Sequence, residues 1–141
     1  MTKVDAYTIS VPFDSADTLL EYRITKLINA KSKLFMKAFN TDKLDFEIKD
    51  DTITFKWLSG DATPEMIQAS MKFFSLLVKF VKEGSSVKCK EREIHSEKYA
   101  MRCFLVRLGF IGDEFKKDRK LLMQNLSGSS AFRLKDGKSN D

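Results

Sequence analysis

The sequence predicts an α+β domain in which a β-α-β-β-α core is followed by a C-terminal helical pair. Three observations carry this prediction. Short stretches alternate apolar and polar residues with the period of two that is typical of half-buried strands. Longer stretches repeat apolar residues at steps of three and four, as amphipathic helices do. Capping residues, Pro and Gly stand where these patterns change. A small antiparallel sheet packed on the helices is therefore expected.

The first strand and helix occupy the N-terminal quarter. Val4–Val11 alternates apolar and polar side chains, and Pro12 should end the strand because it cannot donate to a ladder. Asp14 or Ser15 is expected to cap the helix that follows. Whether this helix continues through Lys31–Asn40 or breaks near residues 29–32 stays open. Its predicted inner face is formed by Leu20, Ile24, Leu27, Ile28 and, further on, Phe35.

A β-hairpin is predicted next. Residues 44–49 and 52–57 both alternate, and Asp50-Asp51 between them can stabilise a turn. The aromatic residues of these strands, Trp57 among them, are expected in the core. Thr63-Pro64 then begins a helix that should run to about Glu83. Its apolar arc is wide, so we expect a central core helix, part of which could form a homodimer face. Its narrow polar stripe is Gln68, Lys72, Ser75, Lys79 and Lys82.

The C-terminal helical pair is predicted over residues 96–128. Ser96 can cap its first helix, a Gly109-Phe110-Ile111-Gly112 turn joins the two, and Asp113 can cap the second. Gly128 can close that second helix, whose inward stripe should be Phe115, Leu122 and Leu126. Residues 1–134 thus form a single domain, and residues 135–141, which are polar, are expected to be a disordered tail.

Composition places the chain among globular proteins, with 43% hydrophobic and 32% charged residues. No apolar run approaches the roughly 20 residues that span a bilayer, and the N-terminus lacks a signal-peptide layout. We therefore expect a cytoplasmic protein without membrane contact. Its two cysteines, Cys89 and Cys103, should be free thiols there.

Charge is unevenly distributed along the chain. Residues 1–86 carry 12 basic and 12 acidic side chains, whereas residues 87–141 carry 13 and 8, so the net charge of +5 lies in the C-terminal part. A basic end on a neutral body favours an acidic partner such as nucleic acid. A solvated face that binds nothing would have the same composition.

Catalytic templates are missing from the sequence. His95 is the single histidine, and it stands just before a helix start. There is no Cys/His cluster with metal-ligand spacing, no P-loop and no GxGxxG. We therefore predict no catalytic residues, no metal and no cofactor. An enzyme would require a deep polar pocket, for which Arg107 and Arg119 would be the candidates.

A basic binding surface is the better candidate site. On the last helix Lys116, Lys117 and Lys120 can contact phosphate and Gln124 can reach a base edge, in a helix-turn-helix outline that an ordinary helical hairpin would share. Lys88, Lys90 and Arg92 alternate upstream, either as a phosphate-tracking strand or as ordinary charge on an edge. Arg133 follows in a short aromatic-basic segment. Arg107 and Arg119 are instead expected to cross packed surface and to hold the helical pair together, Arg107 through a salt bridge.

A family resemblance adds an expectation about biology. EKYAMRCFLVRLGFIGDEFK, DRKLL and NLSGSSAFR, within residues 97–133, resemble the small "virulence-related" accessory proteins of Firmicutes mobile elements, such as conjugative transposons and prophages. The resemblance implies transfer, gene regulation or inhibition of host defences, including anti-CRISPR-like inhibition of a Cas nuclease. We expect a non-enzymatic inhibitor of a nucleic-acid-handling host effector, which binds the effector or its nucleic acid. The alternative is a DNA-binding accessory, transfer or regulatory protein that uses the basic helix.

Overall fold

The computed structural model describes residues 6–83 and 96–127 and has the predicted α+β architecture. A three-stranded antiparallel sheet packs against five helices. The elements in chain order are β1 (Ala6–Pro12), α1 (Thr18–Ala30), α2 (Ser32–Ala38), β2 (Phe46–Lys49), β3 (Thr52–Ser59), α3 (Pro64–Lys82), α4 (Glu97–Leu108), a 3-10 turn (Asp113–Phe115) and α5 (Lys116–Met123).

The sheet has the order β1-β3-β2, so the longest strand lies in the middle. β2 and β3 form the predicted hairpin, in which Phe46 pairs with Phe55 and Lys49 with Thr52. Asp50 and Asp51 both have positive φ, 53° and 58°. A two-residue hairpin turn of this type matches the twist of the strands, and Asp tolerates the left-handed region better than most residues. The hairpin prediction is confirmed.

An aromatic cluster forms the centre of the core. Phe74 of α3 stacks on Phe55 of β3 with ring centroids 4.0 Å apart. Trp57 is 1% exposed, and its Nε1 donates to the backbone carbonyl of Asp45 at 3.0 Å, so its polar atom is satisfied. Phe35 of α2 and Phe104 of α4 join the same cluster from the other side. The strand aromatics are therefore core residues, as predicted.

Helix α3 is the central helix, as its wide apolar arc predicts. It contacts α1, β1, α4 and α5. Thr63 caps it by accepting from the Met66 backbone N–H at 3.1 Å. The predicted polar stripe is exposed at all five positions. Met71 departs from the prediction because it is 50% exposed on the outer side of the helix.

The first helical region differs in detail from the prediction. Asp17, and neither Asp14 nor Ser15, caps α1 by accepting from the Leu20 backbone N–H at 3.0 Å. Asp14 instead accepts from the Ala16 backbone N–H, and Ser15 donates to Asp51 of the hairpin turn. These two contacts use the turn before α1 to join it to the sheet. The helix also breaks at Lys31, so α1 and α2 are separate.

The α4–α5 connection is a tight turn with two glycines at positive φ, 118° at Gly109 and 94° at Gly112. Phe110 between them is fully buried, and its ring lies 5.2 Å from that of Phe115. Asp113 does not cap α5, contrary to the prediction. A 3-10 turn intervenes, so α5 begins three residues later at Lys116, with no side-chain cap.

Candidate basic binding surface

The basic surface of α5 is formed by Lys116, Lys117, Lys120 and Gln124, all of which are exposed. At 100° per residue these four positions span one side of the helix. Asp118 and Leu122 lie on the opposite side and are buried. Within the described residues, none of the three lysines has a carboxylate within salt-bridge distance. The structure therefore places these four predicted residues together on one unneutralised face, which we call the α5 basic face.

Two polar contacts hold α5 in place beneath that face. The Lys72 ammonium of α3 lies 2.9 Å from Oδ2 of Asp118, a carboxylate that is only 7% exposed. Arg119 is half-buried, and its Nη1 donates to the carbonyls of Phe110 at 2.9 Å and Gly112 at 3.1 Å. The Arg119 guanidinium thus ties α5 to the turn that precedes it and is not part of the exposed face.

Arg107 corrects the sequence interpretation. It is exposed, and among the described residues no carboxylate lies within salt-bridge distance of it. The prediction that it crosses packed surface is wrong because the buried arc of α4 is narrower than its apolar sequence suggests. That arc consists of Ala100, Met101, Phe104, Leu105 and Leu108. Val106 and Cys103 are left partly or largely exposed, so their apolar character does not mark packing.

Four predicted binding residues, Lys88, Lys90, Arg92 and Arg133, lie outside the described residues, as do His95, Gly128 and the predicted tail. Nothing in the structure bears on them.

A wide cleft adjoins the helical pair and was missed by the sequence analysis. Its volume is about 1610 Å³, and it lies between the α1–α2 junction, the first turn of α4 and the end of α5. Lys31, Lys33 and Lys37 line one wall, and Glu97 and Asn125 line the other. The available signal was the spacing of Lys33 and Lys37, which four residues place side by side on a helix.

Glu97 joins the two walls of this cleft. Its Oε2 accepts from the Lys37 ammonium at 2.7 Å, while its Oε1 accepts from both the backbone N–H and the hydroxyl of Ser127 at 3.0 Å. The Lys37 ammonium, and next the Ser127 N–H, hold the pKa of Glu97 below its ordinary value of 4.5. Nearby, Nδ2 of Asn125 donates to the Ala38 carbonyl at 3.1 Å. These contacts fasten the end of α5 to α2 and α4.

The lowered pKa of Glu97 gives a pH prediction. A carboxylate whose pKa is depressed by folding adds stability that is complete above about pH 4.5 and is lost as the pH falls through the lowered pKa. Glu97→Gln should therefore lose less melting temperature between pH 7 and pH 3 than the unchanged protein does. The difference should be small, because the Glu97 side chain is 35% exposed and solvent screens it.

The control for this experiment is Glu47→Gln. Glu47 forms only an exposed 3.8 Å pair with Lys56 on the outer face of the sheet. It should leave the pH dependence of the melting temperature unchanged. If Glu97→Gln follows the unchanged protein at every pH, the carboxylate network does not stabilise the fold.

Within the residues that the structure describes, no group of three His, Cys, Asp or Glu side chains could hold a metal ion. Each helix in the same ranges is too short or too polar to cross a lipid bilayer. No protein-family model matches the chain, and neither a curated protein nor a solved structure matches it. The resemblance to mobile-element accessory proteins therefore stays an expectation from residues 97–133.

Proposed function

We propose that this chain is a non-enzymatic accessory protein of a mobile genetic element that inhibits a nucleic-acid-handling host effector in the cytoplasm. It binds the effector, of the Cas-nuclease type, or the effector's nucleic acid. The α5 basic face carries this proposal. A protein with such a face cannot act as a DNA mimic, which needs an acidic surface. It grips instead an acidic partner.

The geometry of α5 supports a binding role for its lysines. A helix whose opposite side is anchored by Leu122 and by the Lys72–Asp118 pair presents its outer side rigidly. Lys116, Lys117 and Lys120 then offer three ammonium groups over two helical turns. Electrostatic attraction from such a patch speeds the encounter with an acidic partner and loses strength as salt rises.

A triple variant, Lys116→Glu, Lys117→Glu and Lys120→Glu, tests the proposal. The purified protein should inhibit cleavage by a Cas effector or another defence nuclease, and the variant should need at least about tenfold more protein for the same inhibition, because each reversal replaces attraction by repulsion. The matched control is Lys26→Glu, Lys49→Glu and Lys56→Glu. These three lysines are also exposed, but they lie on α1 and on the sheet. Full nuclease activity and no binding in the presence of the unchanged protein would reject the proposal.

Direct DNA binding is the second candidate function, and the position of Gln124 favours it. Gln124 lies one turn after Lys120 on the α5 basic face, where a side chain amide could reach a base edge while the lysines contact phosphate. This function predicts a gel shift of bare double-stranded DNA that weakens as salt rises and disappears in the triple variant. Absence of any shift at low salt would remove it.

A further inference from the structure

The cleft beside α5 is shaped for an extended ligand. At about 1610 Å³ it exceeds the roughly 300–1,000 Å³ that is typical of small-molecule pockets. It is open along the surface and is lined by the lysines of the α1–α2 junction together with the aliphatic side chains of Leu34 and Met36. A long concave surface with cationic and apolar groups is typical of sites that follow a polymer backbone.

The charges in the cleft favour a polyanion. Among the described residues, neither Lys31 nor Lys33 has a carboxylate within salt-bridge distance. The Lys31 ammonium lies 5.2 Å from the centroid of the Phe104 ring, which holds it at the wall. Both oxygens of Glu97 are already used by Lys37 and Ser127, so this carboxylate repels an incoming anion less than a free one would. Asn29 and Ser32 add the amide and hydroxyl groups that commonly bind phosphate oxygens.

The cleft is also continuous with the α5 basic face. Asn125 lines the cleft, and it follows directly on Gln124, the last residue of that face. Lys117, Leu121 and Asn125 are spaced by four residues along one edge of the helix, so Lys117 lies about 12 Å from the cleft wall at 1.5 Å per residue. One extended strand could therefore contact Lys117 and Lys33 together.

We propose that this cleft binds the sugar–phosphate backbone of single-stranded nucleic acid, as a continuation of the α5 basic face. The inference rests on the proposed function and specifies the nucleic-acid form and the second contact surface. A single strand fits because a concave groove follows one backbone. Double-stranded DNA is read by elements that project into its grooves, and the cleft walls do not project. Lys31 and Lys33 contact phosphates, while Leu34 and Met36 contact the sugars and bases.

The test is a fluorescence-anisotropy titration of the full chain with 16-nucleotide single strands of mixed sequence, one of DNA and one of RNA. Lys31→Gln with Lys33→Gln should weaken binding of at least one strand about fivefold or more. It should also lower the slope of log affinity against log salt by about 1.4, since each lost phosphate contact on a single strand contributes about 0.7. The matched control, Lys49→Gln with Lys56→Gln on the outer face of the sheet, should bind as the unchanged protein does. Because Lys31 packs on Phe104, the single variant Lys33→Glu is measured as well, with thermal melting of every variant.

The outcomes separate this inference from the proposed function. Unchanged affinity and salt slope in both cleft variants would overturn the cleft, even if the α5 triple variant loses binding. Tighter binding of a 16-base-pair duplex, or equal displacement of the strand by polyglutamate of the same charge, would overturn the single-strand specificity. The titration contains no effector. Effector inhibition can therefore fail while the cleft binds, and the cleft can fail while inhibition persists.

Discussion

Replacing Phe74 with alanine is expected to lower the free energy of unfolding by about 3–5 kcal/mol. The Phe74 ring is fully buried, lies 4.0 Å from the Phe55 ring and meets Trp57 edge-on at 5.0 Å. Truncation therefore removes the transfer free energy of the ring and leaves a cavity that rigid aromatic neighbours cannot fill. Domains of this size are stable by only about 5–15 kcal/mol, so the loss is a large share of the total. Urea denaturation followed by the fluorescence of Trp57, the single tryptophan, measures it.

Two further substitutions in α3 serve as controls for Phe74→Ala. Phe74→Leu should cost clearly less because most of the buried apolar volume remains. Met71→Ala should change the free energy of unfolding by no more than about 0.5 kcal/mol, since Met71 is half-exposed. A loss below about 1 kcal/mol in Phe74→Ala would mean that the aromatic cluster is not the centre of the core.

Lys72→Met is expected to destabilise the fold by about 1–3 kcal/mol by leaving the Asp118 carboxylate unpaired. Breaking a fully buried pair costs roughly 3–5 kcal/mol, and the lower figure applies here because the Lys72 side chain is 48% exposed. Met keeps the apolar stem that packs near Phe115. Thermal and urea denaturation at neutral pH measure the loss.

The double variant Lys72→Met with Asp118→Leu gives the sharper test. Replacing both charges by apolar groups removes the buried unpaired carboxylate, so the double variant should be more stable than Lys72→Met alone. Additive losses in the two single variants would contradict the view that the pair acts as one unit. Loss of effector binding in the double variant, despite a stable fold, would place Lys72 in the binding surface too.

Local patterns were sufficient to predict much of the fold. The alternation around Asp50-Asp51 fixes a hairpin because strand period and turn chemistry agree there. The Thr63-Pro64 start and the wide apolar arc predict α3 and its central position. Each of these signals lies within one segment of the chain and needs no knowledge of what packs against it.

Contacts between distant residues could not be predicted. Asp17 caps α1 because Asp14 and Ser15 are used in the turn and by the hairpin, a competition that the local sequence does not show. The buried position of Asp118 depends on Lys72, which lies on another helix. The sequence placed Asp113 at a helix start, but the packing of Phe110 on Phe115 favours a 3-10 turn there.

The candidate site divides in the same way. The exposure of Lys116, Lys117 and Lys120 follows from helical periodicity, which separates them from Leu122. Arg107 was placed wrongly because an apolar neighbour such as Val106 was taken for packed surface. The cleft could not be found from the sequence at all, since it exists only when α2, α4 and the end of α5 come together.

The strand order has a consequence for folding kinetics. The central strand is β3, so β1 pairs with a partner far along the chain, Pro12 with Thr52 and Ala6 with Ser59. Closing a loop that contains both α1 and α2 carries an entropic cost that must be met before any β1 contact forms. The β2–β3 hairpin, in contrast, is local and can form early. Docking of β1 onto that hairpin is therefore the expected slow step, and a newly synthesised chain holds β1 unpaired until β3 has been made.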